Sequence, residues 1–320
     1  MQRNNTRPER MNLLADVAEL YYIQGEDQAQ IAKRLNLSRS MISRMLNEAR
    51  KLGLVKIHIE RPINQNSQLE SALRKEFGLD DAIVVDNIQN SVLLPSIGKA
   101  AAQYLEKSLL VGQVLGISWG TAISAMVDEI HFDKQVVGVR IVQLLASLGS
   151  RIHEYHGISI VHRLAEKLGG EGYYINAPAL VENSQIAGML KGNPDIQETL
   201  RLGSRANLAV FGIGSAEPSV SPYVIGGYLA EQEMQKRYDD GAVGDVCGNF
   251  FDINGISSAQ DVQEQMIGLS QKEILKIPLR IGISGGAKKV RPIIGALRGK
   301  YVNILVTDSY TAHNVMELNK

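Results

Sequence analysis

The sequence predicts two modules: an N-terminal all-α winged helix-turn-helix, followed by an α/β domain with a largely parallel sheet. Three observations carry this. Residues 28–47 place apolar and small residues at the offsets that two steeply crossing helices need. From residue 79 onward, short apolar runs alternate with stretches of helical periodicity. The 320 residues also exceed the ~250–300 at which a single core stops growing. The expected division is 1–61 for the helical module, 62–78 for a linker and short helix, and 79–320 for the α/β domain.

The first helix runs from Asn12 to Ile23, with LLADVAELYYI at helical spacing and Gly25 to end it. In the next twenty residues Ile31, Leu35, Leu37, Ile42 and Met45 fill the apolar offsets, and Ala32 is the small residue where two backbones meet. Asn36 stands in the turn, as one of the few residues besides glycine that tolerate the left-handed conformation. Ser38 offers an oxygen to cap the following helix, which extends to about Leu52. That helix turns Ile42, Met45, Leu46 and Ala49 inward. Arg39, Ser40, Ser43, Arg44 and Asn47 face outward, and these side-chain types bond base edges and phosphates in double-stranded DNA. Gly53-Leu54-Val55-Lys56-Ile57-His58-Ile59 alternates like a short strand and reads as a wing.

Charge placement agrees. The chain carries 34 basic and 34 acidic residues, but residues 1–61 hold 11 of the former and 7 of the latter, a basic head on an acidic body. MQRNNTRPER lacks the apolar stretch of a signal peptide. No apolar run approaches the ~20 residues of a membrane span. A cytoplasmic protein without a membrane partner is expected. A single cysteine, Cys247, rules out a disulfide framework and multi-cysteine zinc sites. The six histidines show no ligand spacing; His153-Glu154-Tyr155-His156 comes nearest and reads as a surface loop, so neither metal nor cofactor is expected.

In the body, Arg61–Ser67 breaks the pattern and LESALRKEFG forms a short helix that stops at Gly78. AIVVD, VLGIS, VVGVRIVQLL, LAVFGIG, LRIGIS and NILVTD then read as strands. Helices follow around Leu94–Leu105, from Gly120, at Ser159–Leu168, at Gly227–Tyr238 and at Lys288–Leu297, with one more to close the chain. In such a sheet ligands bind where the C-terminal ends of the strands meet helix N-termini. Three loops there suit a polar or anionic small molecule: Ser118-Trp119-Gly120-Thr121-Ala122, Gly212-Ile213-Gly214-Ser215, and Ser284-Gly285-Gly286-Ala287-Lys288-Lys289. Asp245, in an apolar stretch, reads equally as a hydroxyl acceptor and as a structural hydrogen-bonder. Trp119 reads as packing beside its loop.

LSRSMISRMLNEARKLGLVKI at 37–57, ISWGTAI at 117–123, VGDVCGNFFD at 243–252 and GISGGAKKVRPIIGALRGKYVNILVTD at 282–308 resemble the SorC family of sugar-responsive transcription regulators. The resemblance covers nearly the whole chain. It implies a Rossmann-like effector domain similar to sugar-phosphate isomerases and deaminases, with a sugar, polyol or sugar phosphate as effector. Assembly as a homo-oligomer, a dimer or tetramer, is implied as well. Carried onto this chain, Gly120 and Thr121 would hold the effector's phosphate or a terminal hydroxyl, Asp245 would accept from hydroxyls, and Lys289 would pair with an anion. Gln143 is a further match, and Gly212 and Gly214 allow close backbone approach. Where many members have a Gly-Gly after a polar residue, this chain has Leu144, Leu145 and Ala146. Some relatives place a Schiff-base lysine nearby; these residues offer no amine, so binding is expected to be reversible. The deaminase-like enzymes carry an acidic residue and a histidine after the second glycine loop. Here GIGSAEPSVSPYV offers only Glu217, so no catalytic residue is expected.

Overall fold

The computed structural model describes residues 7–55, 63–86, 92–131, 137–147 and 155–320. The chain splits into two compact units, Met1–Pro62 and Ile63–Lys320.

The first unit consists of helices Arg7–Tyr22, Gln28–Leu35 and Arg39–Lys51. Its core is Leu14, Val17, Ala18, Leu20, Ile31, Ala32, Ile42, Leu46 and Ala49. Local chemistry sets the angle between the second and third helices. Asp27 and Gln30 form a reciprocal capping box at the start of the second. Asn36 ends it in the left-handed conformation, φ 56°, and passes the chain to Ser38. The Ser38 hydroxyl accepts from the Met41 N–H at 3.2 Å and opens the third helix. The expected wing runs past Val55 into 56–59, which lie outside the described residues.

Among its described residues the second unit has ten strands. They are β1 (Asp81–Val85), β2 (Val114–Ile117), β3 (Arg140–Gln143), β4 (Glu171–Tyr173), β5 (Leu208–Gly212), β6 (Gly214–Ser215), β7 (Ala242–Val246), β8 (Asn249–Asp252), β9 (Leu279–Ile283) and β10 (Ile304–Asp308). Seven of them form a parallel sheet in the order β1-β10-β9-β5-β2-β3-β4. Strands buried on both faces call for apolar runs: β2 and β5 are apolar throughout and β1 is apolar after Asp81, whereas Arg280 interrupts β9 and Thr307 and Asp308 end β10. From β2 the chain winds outward through β3 and β4, then returns to place β5 on the other side of β2. The direction of winding therefore reverses between β2 and β5, which opens a crevice at their C-terminal ends.

Three features depart from the sequence reading. Gln65 bridges antiparallel to Val85, and the Glu70 carboxylate accepts from the Val84 N–H at 3.0 Å. Residues 64–66, expected as a linker, and the expected short helix, Ser67–Phe77, thus cover the edge of β1, with Leu73 and Phe77 buried. The helix expected at 227–238 begins at Glu231. Gly227, at φ 74°, instead closes the short helix Pro222–Ile225, and the Tyr228 N–H returns to the Tyr223 carbonyl at 2.8 Å. Finally, β6, β7 and β8 make a separate antiparallel sheet. Its β7–β8 loop is the pair Cys247-Gly248, at φ 54° and 75°, the positive values a two-residue hairpin requires.

Candidate functional site

The crevice between β2 and β5 opens into a cavity of about 710 Å³, lined entirely by residues of the second unit. All three glycine-bearing loops reach it.

The loop after β2 contributes Ser118, Trp119, Gly120, Thr121 and Ala122. Gly120 has φ 132°, a conformation L side chains rarely adopt, and it precedes helix Thr121–Glu129 without a side-chain cap. The first N–H groups of that helix therefore have no partner within the helix, and they lie at the cavity wall with the positive end of its dipole. The Ser118 hydroxyl accepts from the Gly212 N–H at 3.3 Å, tying the loop after β2 to the end of β5 across the crevice. The Trp119 indole N–H donates to the Ala146 carbonyl at 3.0 Å, so its only polar atom is committed.

The second loop, Gly212-Ile213-Gly214, carries the site's tightest steric requirement. Gly214 pairs with Asp245 across the β6–β7 ladder, and a Cβ on Gly214 would clash with Asp245 Oδ1 far inside van der Waals contact. Glycine is needed there for space, since its φ is ordinary. Asp245 is buried, at 6% exposure, yet not orphaned. Its Oδ2 accepts from Tyr223 Oη and from the Gly248 N–H, each at 3.0 Å. Burial raises the Asp245 carboxyl pKa, with the Gly248 and Tyr223 hydrogen bonds and the Lys289 charge pulling the other way. Burial likewise pushes the Tyr223 phenol and the Cys247 thiol well up, with the Asp245 charge adding to both.

The third loop is clamped from beneath. The Gly286 N–H donates to Asp308 Oδ2 at 3.1 Å and to Thr311 Oγ1 at 2.7 Å. A Cβ on Gly285 would lie 2.6 Å from that Asp308 oxygen. The clamp leads into a 3₁₀ turn, Ala287–Lys289, whose last residue returns to the cavity. Lys289 Nζ donates to the Ile213 carbonyl at 2.9 Å. Burial lowers the Lys289 pKa, while the Asp245 carboxylate opposes that shift. Its neighbour Lys288 turns away, to Glu217 at 2.6 Å and Ser219 at 3.0 Å.

Six of the seven expected effector residues line this one cavity: Gly120, Thr121, Gly212, Gly214, Asp245 and Lys289. Gln143 does not. It is fully buried, with its amide nitrogen donating to the Leu145 carbonyl at 2.8 Å and Ser147 Oγ at 3.1 Å. Its amide oxygen accepts from the Ile175 N–H at 3.1 Å. With both ends of the amide taken up locally, Gln143 acts as a cross-link between β3 and the chain before helix Ser184–Lys191. Glu217 is likewise outside the lining: Lys288 and Ser219 hold its carboxyl below the usual range. Sequence reasoning missed Tyr223, which holds Asp245 from behind the lining and comes from a segment with no motif, and the Asp308–Thr311 clamp. It also read His156 as surface loop, whereas His156 lines the cavity from the N-cap of helix Gly157–Leu168. His153 lies outside the described residues. Among the described residues there is no cluster of three or more metal-ligating side chains.

In the first unit, Arg39, Ser40, Arg44 and Asn47 are exposed on the third helix and Ser43 is half-buried. Their hydrogen bonds are to near neighbours along the chain: Arg44 Nε donates to the Ser40 carbonyl at 3.4 Å, Arg50 donates to Asn47 Oδ1 at 3.3 Å, and the Ser38 and Ser40 hydroxyls meet at 3.0 Å.

Residues 61–317 match the family model described as "Putative sugar-binding domain". The chain belongs to that family. It is 30% identical over 307 residues to a deoxyribonucleoside regulator of Bacillus subtilis, spanning 95% of this chain and 97% of that one. It is 29% identical to the sorbitol operon regulator of Klebsiella pneumoniae, over 96% of this chain and 98% of the other. The crystal structure of full-length SorC from Klebsiella pneumoniae superposes with a TM-score of 0.72 at 29% identity, covering 96% and 99% of the two chains. A transcriptional regulator from Streptococcus pneumoniae TIGR4 gives 0.74 at 26% identity, over 79% and 97%. The SorC resemblance seen in the motifs is borne out.

Proposed function

We propose that this protein is a DNA-binding transcription regulator whose operator affinity is set by a sugar, polyol or sugar phosphate held in the β2/β5 cavity. The single observation that carries the reading is the convergence of an uncapped helix N-terminus, the buried Asp245 and the Lys289 ammonium on one enclosed space. Backbone N–H groups and an ammonium suit an anionic or hydroxyl-rich end of a ligand. A buried carboxylate with one oxygen taken up by Tyr223 and Gly248 suits a ligand hydroxyl on the other. The full-length relatives are named as regulators, which supports the same reading for this chain.

Output would come from the first unit. Helix Arg39–Lys51 would lie in the major groove with Arg39, Ser40, Ser43, Arg44 and Asn47 toward bases and phosphates, and residues 53–59 would form a wing on the backbone. A dimer or tetramer would set two such helices on half-sites about one DNA turn apart. The effector would act by binding the competing arrangements of the oligomer unequally, since a ligand shifts an equilibrium only by its differential affinity. A carbohydrate catabolic operon in the cytoplasm is the proposed target.

Two measurements test this. A thermal-shift screen of sugars, polyols and their phosphates should find a stabilising ligand, worth ~2.7 kcal/mol at a hundred times its Kd. That ligand should then change the gel-shift affinity for the operator. In the same assay Arg39→Ala or Arg44→Ala should cost about 1–3 kcal/mol if either side chain reads a guanine. Unchanged affinity in both variants would remove the assigned reading face.

A further inference from the structure

Helix Arg39–Lys51 carries four basic side chains and one acidic one, Glu48. Residues four apart on a helix share a face, so Glu48 follows Ser40 and Arg44 along the outward row, away from the buried Ile42, Leu46 and Ala49. A bare carboxylate there would repel the phosphates that this face is read to meet. Arg44 stands one turn before it, yet Arg44 Nε donates to the Ser40 carbonyl. The carboxylate is claimed from another helix instead. Arg10, on Arg7–Tyr22, donates to Glu48 through Nε at 3.2 Å and through Nη2 at 2.8 Å. Each partner keeps the other ionised: the hydrogen bond to Glu48 raises the Arg10 pKa, and the same bond lowers that of Glu48.

The pair does little for the fold. The Arg10 side chain is 64% exposed and that of Glu48 36%, and exposed ion pairs contribute little to stability. What a two-pronged pair supplies is orientation, because a planar guanidinium gripped through two N–H groups has few ways to turn. With Nε and Nη2 directed at Glu48, Nη1 on the far edge of the guanidinium makes no hydrogen bond among the described residues. The result is a fixed positive charge with unused donors, from outside the helix-turn-helix, beside the row that holds Ser40 and Arg44. Contacts that set the register of a protein on a duplex have this character.

We propose that Arg10 is a DNA-phosphate contact at the border of the reading face, held in place by Glu48, so that helix Arg7–Tyr22 joins helix Arg39–Lys51 in binding DNA. This rests on the reading of helix Arg39–Lys51 as the DNA-facing one, and the test separates the two.

Each phosphate neutralised adds about 0.9 to the slope of log K against log salt, whatever the sequence. Full-length protein is therefore titrated onto a mixed-sequence DNA duplex at a series of salt concentrations. In Arg10→Ala the slope should flatten by about 1 per protomer. Arg10→Lys keeps the charge but cannot grip Glu48 with two prongs, so the slope should stay and affinity should fall. Glu48→Gln separates contact from charge cancellation: in that background Arg10→Ala should still flatten the slope by about 1. If the flattening vanishes there, Arg10 serves only to cancel Glu48 and the proposal fails. Arg10→Lys that binds as tightly as wild type overturns the positioning by Glu48. An unchanged slope in Arg10→Ala, with affinity lost in the double variant Arg39→Ala/Arg44→Ala, overturns the Arg10 contact and leaves the reading face standing. Wild-type binding in both overturns both. All these side chains are exposed, so the melting temperatures should stay with wild type.

Discussion

The helix Arg39–Lys51 and the β2/β5 cavity solve recognition in opposite ways. On the helix, the polar residues all fall between Arg39 and Asn47, four of the five are exposed, and their hydrogen bonds are to near neighbours along the chain. Each is solvated in the free protein, so each can be removed at little cost to folding. In the cavity, Asp245 and Lys289 are held against three hydrogen-bond partners, Tyr223, Gly248 and Ile213, and burial disfavours the charged form of both. Here the fold holds charges in a setting that disfavours them, and binding is what uses them. Substitutions in the cavity should therefore trade stability against ligand affinity, whereas those on the helix face should touch DNA affinity alone.

The largest effect should come from Lys289→Met. The substitution removes the ammonium while keeping most of the stem that packs beside Ile213. Losing one member of a desolvated charged contact costs about 2–5 kcal/mol, so the effector identified by thermal shift should bind at least ~30-fold more weakly. Folding should survive, because the lost bond goes to a single carbonyl. Retained affinity would show that Lys289 serves only to hold the Ile213 loop.

Gly214→Ala comes next. The new methyl would overlap Asp245 Oδ1, so either the carboxylate or the β6–β7 pairing must give. Overpacking of this kind costs about 1–3 kcal/mol, read as a lower melting temperature. Because the displaced group is the proposed hydroxyl acceptor, effector affinity should fall too. Gly212→Ala is the control: a Cβ there meets the Trp119 carbonyl only at 3.5 Å, an ordinary contact.

This contrast also marks what was legible in the sequence. The first unit's helices, the Asn36 turn and the Ser38 cap follow from residues close together in the chain, where periodicity and capping chemistry speak directly. The three glycine loops were visible for the same reason, since each is a strand end read locally. Gln143 misled because its position at a strand end is legible but the fate of its amide is not: Ile175 and Ser147, which satisfy it, are set by tertiary packing. Tyr223 was invisible, because the reach of its hydroxyl to Asp245 depends on a hairpin that the apolar run VGDVCGNFF conceals.

Asp245 sharpens the comparison through pH. Burial raises its folded-state pKa above the unfolded value of about 3.9. The folded chain therefore holds that proton more tightly, and the associated stability is fully present below the unfolded pKa and lost as pH rises through the folded one. Asp245→Asn has no such titration. The melting temperature of the wild-type chain minus that of Asp245→Asn should decline across that interval and level off above it. A difference that rises with pH would mean that the Gly248, Tyr223 and Lys289 contacts outweigh burial.

The smallest effect belongs to the first unit. Ser38→Ala removes the oxygen that accepts from the Met41 N–H, a cap worth about 1 kcal/mol. Because the loss is confined to the first turn of one helix, it should show as local opening: hydrogen-exchange protection at Met41 should fall roughly fivefold, with protection in β5 and β9 unchanged. The consequence for DNA is indirect but specific. Arg39 and Ser40 sit in that first turn, so fraying should weaken operator binding by up to the same ~1 kcal/mol, the entropy of re-forming the turn on the duplex. Effector affinity in the cavity should not move. If it does, the two units are coupled in the free protein, without DNA to mediate between them.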